Sequence, residues 1–389
     1  MKLQKGFSLI ELMVSMGIVV AVVAVATGML MQAEHATSAV AFRANTQENL
    51  RAGMHFMVRD LLQAGEGIPQ GGITIPYAVA SAVNRPGTTP ATTYPTYYTT
   101  MPAITPGSQI GQNAISINPV TQAALTGIKT DIINILYADN ILVDTAGNYL
   151  YSYPVIQPAP STPNCGGTIA PSGASVTLAA NCFVMPGVTN PIAIGNLIMF
   201  HNQNGTALEY VTSVAGQQIN FAAGDPGGLN QTGKANGTVA NLATSPGIFP
   251  PTTITRVWMV SYYVDSTNAQ DPQLIRQVNY PGYPAGAPAN PPQAIADVIE
   301  NLGFSYDITS STDPVGTYSL GPGNVPTPLL PDTPAQIRAV NVFLAGRSEQ
   351  TYLSSSTPQY LRNNLSTQVS IRSLSFTNQF NTSSTSTAP

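Results

Sequence analysis

An apolar run from Phe7 to Met31, FSLIELMVSMGIVVAVVAVATGMLM, constrains this chain more than any other stretch of it. At about 1.5 Å per helical residue the run is roughly 37 Å long, against a hydrocarbon core of about 30 Å, so it can cross a bilayer as a single helix. Its one charge is Glu11. An unpaired carboxylate within hydrocarbon costs about 2.5 to 3.5 kcal/mol even on lenient insertion scales, so this acid implies a partner.

Lys2 and Lys5 precede the run, and Gly6 stands at its threshold. An ordinary secretory signal places its small-residue cleavage site after a shorter apolar region. Here the cleavage-like glycine comes first, so processing would leave the whole helix on the mature chain. The segment KGFSLIEL resembles the class III leader of type IV pilins and type II secretion pseudopilins. That resemblance implies cutting between Gly6 and Phe7 by a prepilin peptidase, N-methylation of the new Phe7 amine, and a pairing of Glu11 with the terminal amine of a neighbouring subunit. Opposite charges buried in a low-dielectric medium tolerate isolation poorly, so such a pair favours one docking register more than it adds net stability. A plain signal anchor whose acid snorkels to the interface is the competing reading. The joint occurrence of basic leader, Gly-Phe boundary and acid weighs against it.

The rest of the composition fits an extracytoplasmic surface. Only 8% of the 389 residues are charged, well below the usual quarter of a soluble domain, and Gly and Pro each number 33. There are 14 Lys and Arg against 18 Asp and Glu; removing Lys2 and Lys5 with the leader leaves 12 against 18, a side-chain charge of −6. No basic field for nucleic acid results. The two cysteines, Cys165 and Cys182, have no CxxC spacing and no histidine at ligand distance in sequence. In an oxidising periplasm they can close a loop of about 15 residues, worth roughly 3 kcal/mol in the chain-entropy model; two free buried thiols are the alternative.

Beyond the apolar run the helical pattern continues. Leu50, Met54, Met57 and Leu61 fall on one stripe, Arg51, Arg59, Asp60 and Gln63 are expected elsewhere, and Gly65, Gly67 and Pro69 supply a stop. The expectation is one helix of about 55 to 60 residues, with its second half packed on a globular domain. Gly28 loosens the stem by about 1 kcal/mol relative to alanine or serves close helix packing; the two readings stay open. Between Pro69 and Gln112 the many breakers predict a long surface excursion, where Tyr94, Tyr97 and Tyr98 form either a contact patch or anchors to the domain. Strand signals dominate afterwards: TDIINILYAD, NYLYSYPVI, ASVTLAANCFVM, a meander of two or three strands in GNLIMFHNQNGTALEYVTSVAGQQINFA, a hairpin TRVWMVSYYVD to LIRQVNY, and strands in AQIRAVNVFLAGRS and LSTQVSIRSLSF. AIADVIENLGFSYDI reads as a short helix or turn leading to a strand, and the tail NTSSTSTAP as unfolded.

In this order the pieces resemble the PilW-type minor pilins, with the J-type pseudopilins of type II secretion as relatives that share the VIENLGFSY and VNVFLAGR kind of ending. The resemblance implies an α+β, type IV pilin-like fold: a leader at 1–6, an N-terminal helix at 7–65 with its transmembrane segment at 7–31, a β-rich antiparallel-sheet globular domain with long loops at 66–380, and a disordered tail at 381–389. It implies a minor pilin, not an enzyme, without a cofactor, that primes or caps a filament. The chain would sit once across the bacterial inner membrane with its domain in the periplasm, then enter the pilus. Its partners would be other minor pilins, the major pilin, the prepilin peptidase, the inner-membrane assembly platform and the lipid bilayer. A J-type pseudopilin and a pilus-tip adhesin are the alternatives.

Sharper chemical readings find little. His35 and His55 lie on the stem and His201 in a strand, without a nucleophile elbow, HExxH or phosphate loop. Asp265, Asn268 and Asp271 have oxygen donors at a spacing a calcium loop can use, but Asx residues populate hairpin turns for backbone reasons, and turn chemistry is the favoured reading.

Overall fold

A computed structural model describes residues 8–77, 83–87, 92–94, 99–117, 120–121, 123–125, 127–139, 153–155, 167–178, 192–231, 233, 236–244, 247–281, 291–308, 316–318, 334–354 and 357–377. Gly6, Phe7, Cys165, Cys182, Tyr97, Tyr98 and the tail at 381–389 lie outside them.

The architecture is α+β. Helix α1 runs from Leu9 to Gln63, 55 residues, and packs its C-terminal part on a β-rich head. Leu50, Met54, Met57 and Leu61 are all buried there, so the spacing of four, three and four sets the face that enters the core. Gly53 shares that face because the helix passes very close to the sheet: a Cβ at this position would meet Leu274 Cδ2 at 2.8 Å and Ala296 Cβ at 3.3 Å. The helix stops where Gly65 adopts φ +79°, a conformation that costs glycine little.

The larger sheet comprises β1 (Ile104–Gly107), β2 (Ile132–Ala138), β3 (Tyr153–Val155), β4 (Leu197–Asn202), β5 (Gly205–Tyr210), β6 (Thr252–Asp265), β7 (Gln273–Val278) and β8 (Gln293–Ala296). Strand β6 is its hub. One edge of β6 pairs with β4 and then β7, the other with β3 and then β2, and β1 adds beyond β2. Because it is flanked on both edges and covered on both faces, β6 is buried almost continuously rather than at alternate residues, and its polar side chains such as Thr252, Arg256 and Ser261 are buried with the apolar ones. A smaller sheet has the order β10 (Gly316–Tyr318), β9 (Ile299–Ile308), β11 (Ile337–Arg347), β12 (Arg362–Ser370). Both sheets give residues to the core beneath α1, including Ile133, Ile135, Val260, Tyr262, Leu302, Val340 and Leu344.

Five local expectations are corrected. The stretch from Pro69 to Gln112 is not a surface excursion over its described residues: Ile73, Ile75, Val83, Tyr94 and Met101 are buried against Leu136, Leu197, Leu208 and Met259 on the face of the larger sheet away from α1. Arg85 stitches it down, donating to Asn134 Oδ1 at 2.6 Å and to the carbonyls of Pro106 and Thr105 at 2.7 Å each. The breakers that removed any period let the chain double back over the sheet, and Tyr94 is an anchor. The expected meander splits after β5, its second hairpin (Ser213–Ala215, Gln218–Asn220) joining Gly167–Ile169 and Ser175–Leu178 in a separate four-stranded sheet. Thr212 makes the corner, donating to the Asn220 carbonyl while accepting from the Ala222 N–H.

Gln293–Ala296 is a strand on the edge of β7 and not a helix or turn, since the exposed β7 ladder outweighs the weak local preference of so short a segment. LSTQVSIRSLSF is a strand only as far as Ser370. It then turns into helix α2 (Arg372–Thr377), where Leu374 packs beside Gly65 and Ala103, and the Ser373 hydroxyl donates to the Ala64 carbonyl.

Asp60, expected away from the apolar stripe, is buried on it. Its Oδ2 accepts from the Tyr262 hydroxyl at 2.5 Å and from Arg276 Nε at 2.6 Å, with the half-exposed Arg59 at 3.5 Å from Oδ1. Burial works against the Arg276 charge, but the bond to Asp60 more than restores it, and the guanidinium is held above its ordinary range. Burial, and after it the Asp60 charge, pushes Tyr137 up to about 12 and Tyr262 higher still. A second buried acid, Glu209 on β5, is satisfied differently: the Val239 N–H donates to it at 3.3 Å, with Asp225 as a further nearby negative charge. Burial raises its carboxyl well above the usual range.

Two outcomes are expected in denaturation of the detergent-solubilised full chain. Asp60→Ala strands a buried guanidinium and lowers stability by about 3–5 kcal/mol, whereas Asp60→Leu combined with Arg276→Leu recovers most of that loss. Recovery by neither combination nor single change would contradict the pairing. For Glu209 the folded form holds its proton to higher pH than the unfolded chain, so stability falls as pH rises from about 4.3 toward the raised folded value. Glu209→Gln keeps an acceptor for Val239, matches the parent near pH 4, and is the more stable protein at pH 7; parity at both pH values would overturn the assignment.

Candidate assembly interface

What α1 does before it reaches the head follows from its residues. From Leu9 to Met31 its large apolar side chains are between 54% and 78% exposed, and no part of the described chain covers them. Burial begins at Thr46 and Leu50. Among the described residues this is the one helix long and apolar enough to cross a membrane. So much apolar surface is stable only in lipid or against other helices, at roughly 25 cal/mol for each Å² removed from water.

The polar groups of the stem divide into two kinds. Ser15 and Thr27 bond back to their own helix, Ser15 Oγ to the Leu12 carbonyl at 2.9 Å and Thr27 Oγ1 to the Val23 and Ala24 carbonyls at 2.9 and 3.0 Å. They ask nothing of a neighbour. Glu11 is different. Its Oε2 accepts the Ser8 N–H at 3.1 Å, which caps the first turn and places the negative charge at the positive end of the helix dipole. A carboxylate has about four lone-pair sites, so one such bond leaves most of its accepting capacity for an outside cation or donor.

One face of the stem is built for close approach. Gly17, Ala21, Ala24 and Gly28 follow one another at spacings of four, three and four, and a Cβ at either glycine would meet nothing within 4 Å. Small residues in this pattern let two helix backbones come together in lipid, where packing and dipoles replace the hydrophobic effect as the source of affinity. Gly17 lies within two helical turns of Glu11, and Ala21 within three.

The other residues singled out from sequence lie apart from this face. His35 and His55 are exposed on α1, the latter edge-on to Phe56 at 6.3 Å, and His201 is exposed on β4. Asp265 Oδ1 accepts from the Thr267 N–H at 2.9 Å and its hydroxyl at 2.6 Å, and Asn268 Oδ1 accepts the Gln270 N–H at 3.1 Å. The Thr267 hydroxyl bond leads the lowering of the Asp265 carboxyl below its usual range. Asp271 donates its N–H to the Asn268 carbonyl at 3.1 Å. The Asp265 and Asn268 oxygens therefore serve the β6–β7 turn, Asp271 Oδ2 accepts from Gln273 Nε2 at 3.3 Å, and among the described residues no group of three His, Cys, Asp or Glu side chains is placed to hold a metal ion. The pattern not evident from Gly28 alone is the small-residue stripe, legible once Gly28 is set in register with Gly17.

Residues 1–27 match the family described as Prokaryotic N-terminal methylation motif. No curated protein and no solved structure matches the chain. The methylation motif, followed by an exposed apolar helix on an antiparallel-sheet head, supports a type IV pilin or pseudopilin that is anchored in a membrane, processed by a prepilin peptidase and assembled with other pilins.

Proposed function

We propose that this chain is a minor pilin: a non-enzymatic, low-abundance subunit that primes or caps a type IV pilus through contacts with other minor pilins and the major pilin. The observation that carries the reading is the stem itself, an uncovered apolar helix whose one carboxylate sits in its first turn beside a methylation-type N-terminus. Cutting after Gly6 and methylating Phe7 leaves a cationic amine four residues from Glu11. Within one chain Glu11 caps the Ser8 N–H, and the amine of an adjacent subunit supplies the charge it lacks. The register this selects brings small residue against small residue along Gly17, Ala21, Ala24 and Gly28. The large head, poor in charge, then distinguishes one neighbour from another.

A chain whose stem must leave lipid to join a filament needs its unpaired acid matched at that moment. Removing the carboxylate strands the partner amine in hydrocarbon, at a cost of about 2.5 to 3.5 kcal/mol or on the order of a hundredfold in association. Glu11→Ala is therefore expected to be made and cut after Gly6 as in the parent, yet to lose about a hundredfold in co-purifying pilins and most surface pili in cells. Glu11→Asp, one methylene shorter, falls between. Assembly of both variants at parental levels would show that the acid sets no register. Intact pili with loss of protein export would instead assign the chain to a secretion pseudopilus.

A further inference from the structure

We infer that strand β12 is a docking edge, to which a neighbouring subunit of the assembly adds an extended, uncharged segment as a further strand of the smaller sheet. This deepens the assembly reading and rests on it. The backbone gives the first argument. The Leu361 carbonyl accepts the Ser348 N–H at 2.7 Å and the Ile371 N–H donates to the Arg338 carbonyl at 2.8 Å, so these odd-numbered residues flanking β12 turn their backbone groups toward β11 and its ends. Alternation along an antiparallel ladder turns those of Arg362, Asn364, Ser366, Gln368 and Ser370 the other way. The Asn364 N–H agrees, since it is accepted by the adjacent Asn363 side chain at 2.9 Å and not by β11. Among the described residues no strand pairs with that side of β12, which at about 3.3 Å per residue is an edge roughly 30 Å long.

Such edges are hazards that proteins suppress with charge, proline, bulges, shortness or cover. Other described edges of this head do so. On β5, Asn230 accepts the Tyr210 N–H and donates to the Tyr210 carbonyl, both at 2.7 Å, and Thr206 Oγ1 takes the Thr74 N–H at 2.8 Å. Strands β8 and β10 have only four and three residues. In β12, by contrast, Asn363 to Ser370 contains neither charge nor proline, and its register with β11 is unbroken from Ala339–Ser370 to Arg347–Arg362.

Side chains and position indicate what covers the edge. On the inner face Val369 is buried, but Asn363, Leu365 and Thr367 are only half-buried, so the core that α1 completes is open along β12. An added strand would bring its own alternate side chains beside them. Asn363 pairs with Gly346, and Gly346 lies against Leu50, the first apolar residue of α1 to be buried. The open edge thus starts where the exposed stem ends, and a neighbour packed in parallel along the stem carries its head to this place. A second copy pairing β12 with β12 is excluded by the same geometry: the twofold axis would send the two stems in opposite directions along the joined sheet, and both could not enter one bilayer side by side. The absence of charge between Asn363 and Ser370 selects an uncharged segment.

The test uses the full chain, purified in detergent with and without its pilin partners, the latter identified by mass spectrometry through their own methylation-type N-termini. Amide hydrogen exchange in peptides spanning residues 362–370 is expected to slow at least tenfold on association. Ser366→Pro, which removes one outward N–H at an edge where proline is tolerated, is expected to reduce partner recovery at least tenfold, while Ser366→Thr retains it. Unchanged exchange at 362–370 in the complex overturns the inference whether or not the proline variant folds. So does full recovery with a folded Ser366→Pro chain, or protection that arises from self-association alone. If Glu11→Ala loses partners while Ser366→Pro keeps them, the edge is wrong and the assembly reading stands; if neither variant loses them, both fall.

Discussion

The contact between Asp60, Arg276 and Tyr262 fixes how the stem is set into the head. An apolar stripe such as Leu50, Met54, Met57 and Leu61 can slide by a turn against an apolar sheet with modest loss, because dispersion and burial are not directional. A buried carboxylate cannot. Its desolvation is offset only when both donors from β6 and β7 are in place, so every other rotation or height of the helix strands a charge. The pair adds little net stability compared with an apolar replacement, but it defines where α1 leaves the head, and so the direction of everything from Leu9 to about Asn45.

Seen from that anchor, one helix serves two solvents. Its last turns are a core element, gripped by both sheets and closed by Leu374 of α2 over Gly65. In its first turns the Ser15 and Thr27 hydroxyls bond to their own helix, and Glu11 keeps acceptor sites beyond the one that takes the Ser8 N–H. The same device recurs in the head on a smaller scale. Asn230 and Thr206 cover the edge of β5, whereas among the described residues no strand pairs with the outer edge of β12.

Much of this was legible before any coordinates. The apolar run, the misplaced acid, the stripe of α1, the hairpin of TRVWMVSYYVD with LIRQVNY and the strands β2, β9 and β11 all follow from periodicity, because burial of one face writes itself into spacing. Elements without a period were misread. The segment after Pro69 has the composition of a loop and the burial of a core layer, since Arg85 and short two-residue pairings hold it where no long strand forms. Asp60 is expected off the stripe because spacing alone marks only the apolar residues, and its partners are more than 200 residues away in sequence. The helical end of LSTQVSIRSLSF was hidden for a similar reason: what favours α2 is a carbonyl at Ala64 and a gap beside Gly65, neither of which is local.

The sequence by itself determined that one long helix, apolar at its start and striped at its end, would pack its second half on a head, and that this head would be antiparallel β. These follow from hydropathy, charge and period, which act over a few residues at a time. Only the tertiary structure decided that Asp60 is paired within the chain while Glu11 meets just the Ser8 N–H among the described residues, and which described strand edges are closed. Those outcomes depend on groups brought together from distant positions, and a hydrogen bond or an uncovered edge leaves no trace in spacing along the chain.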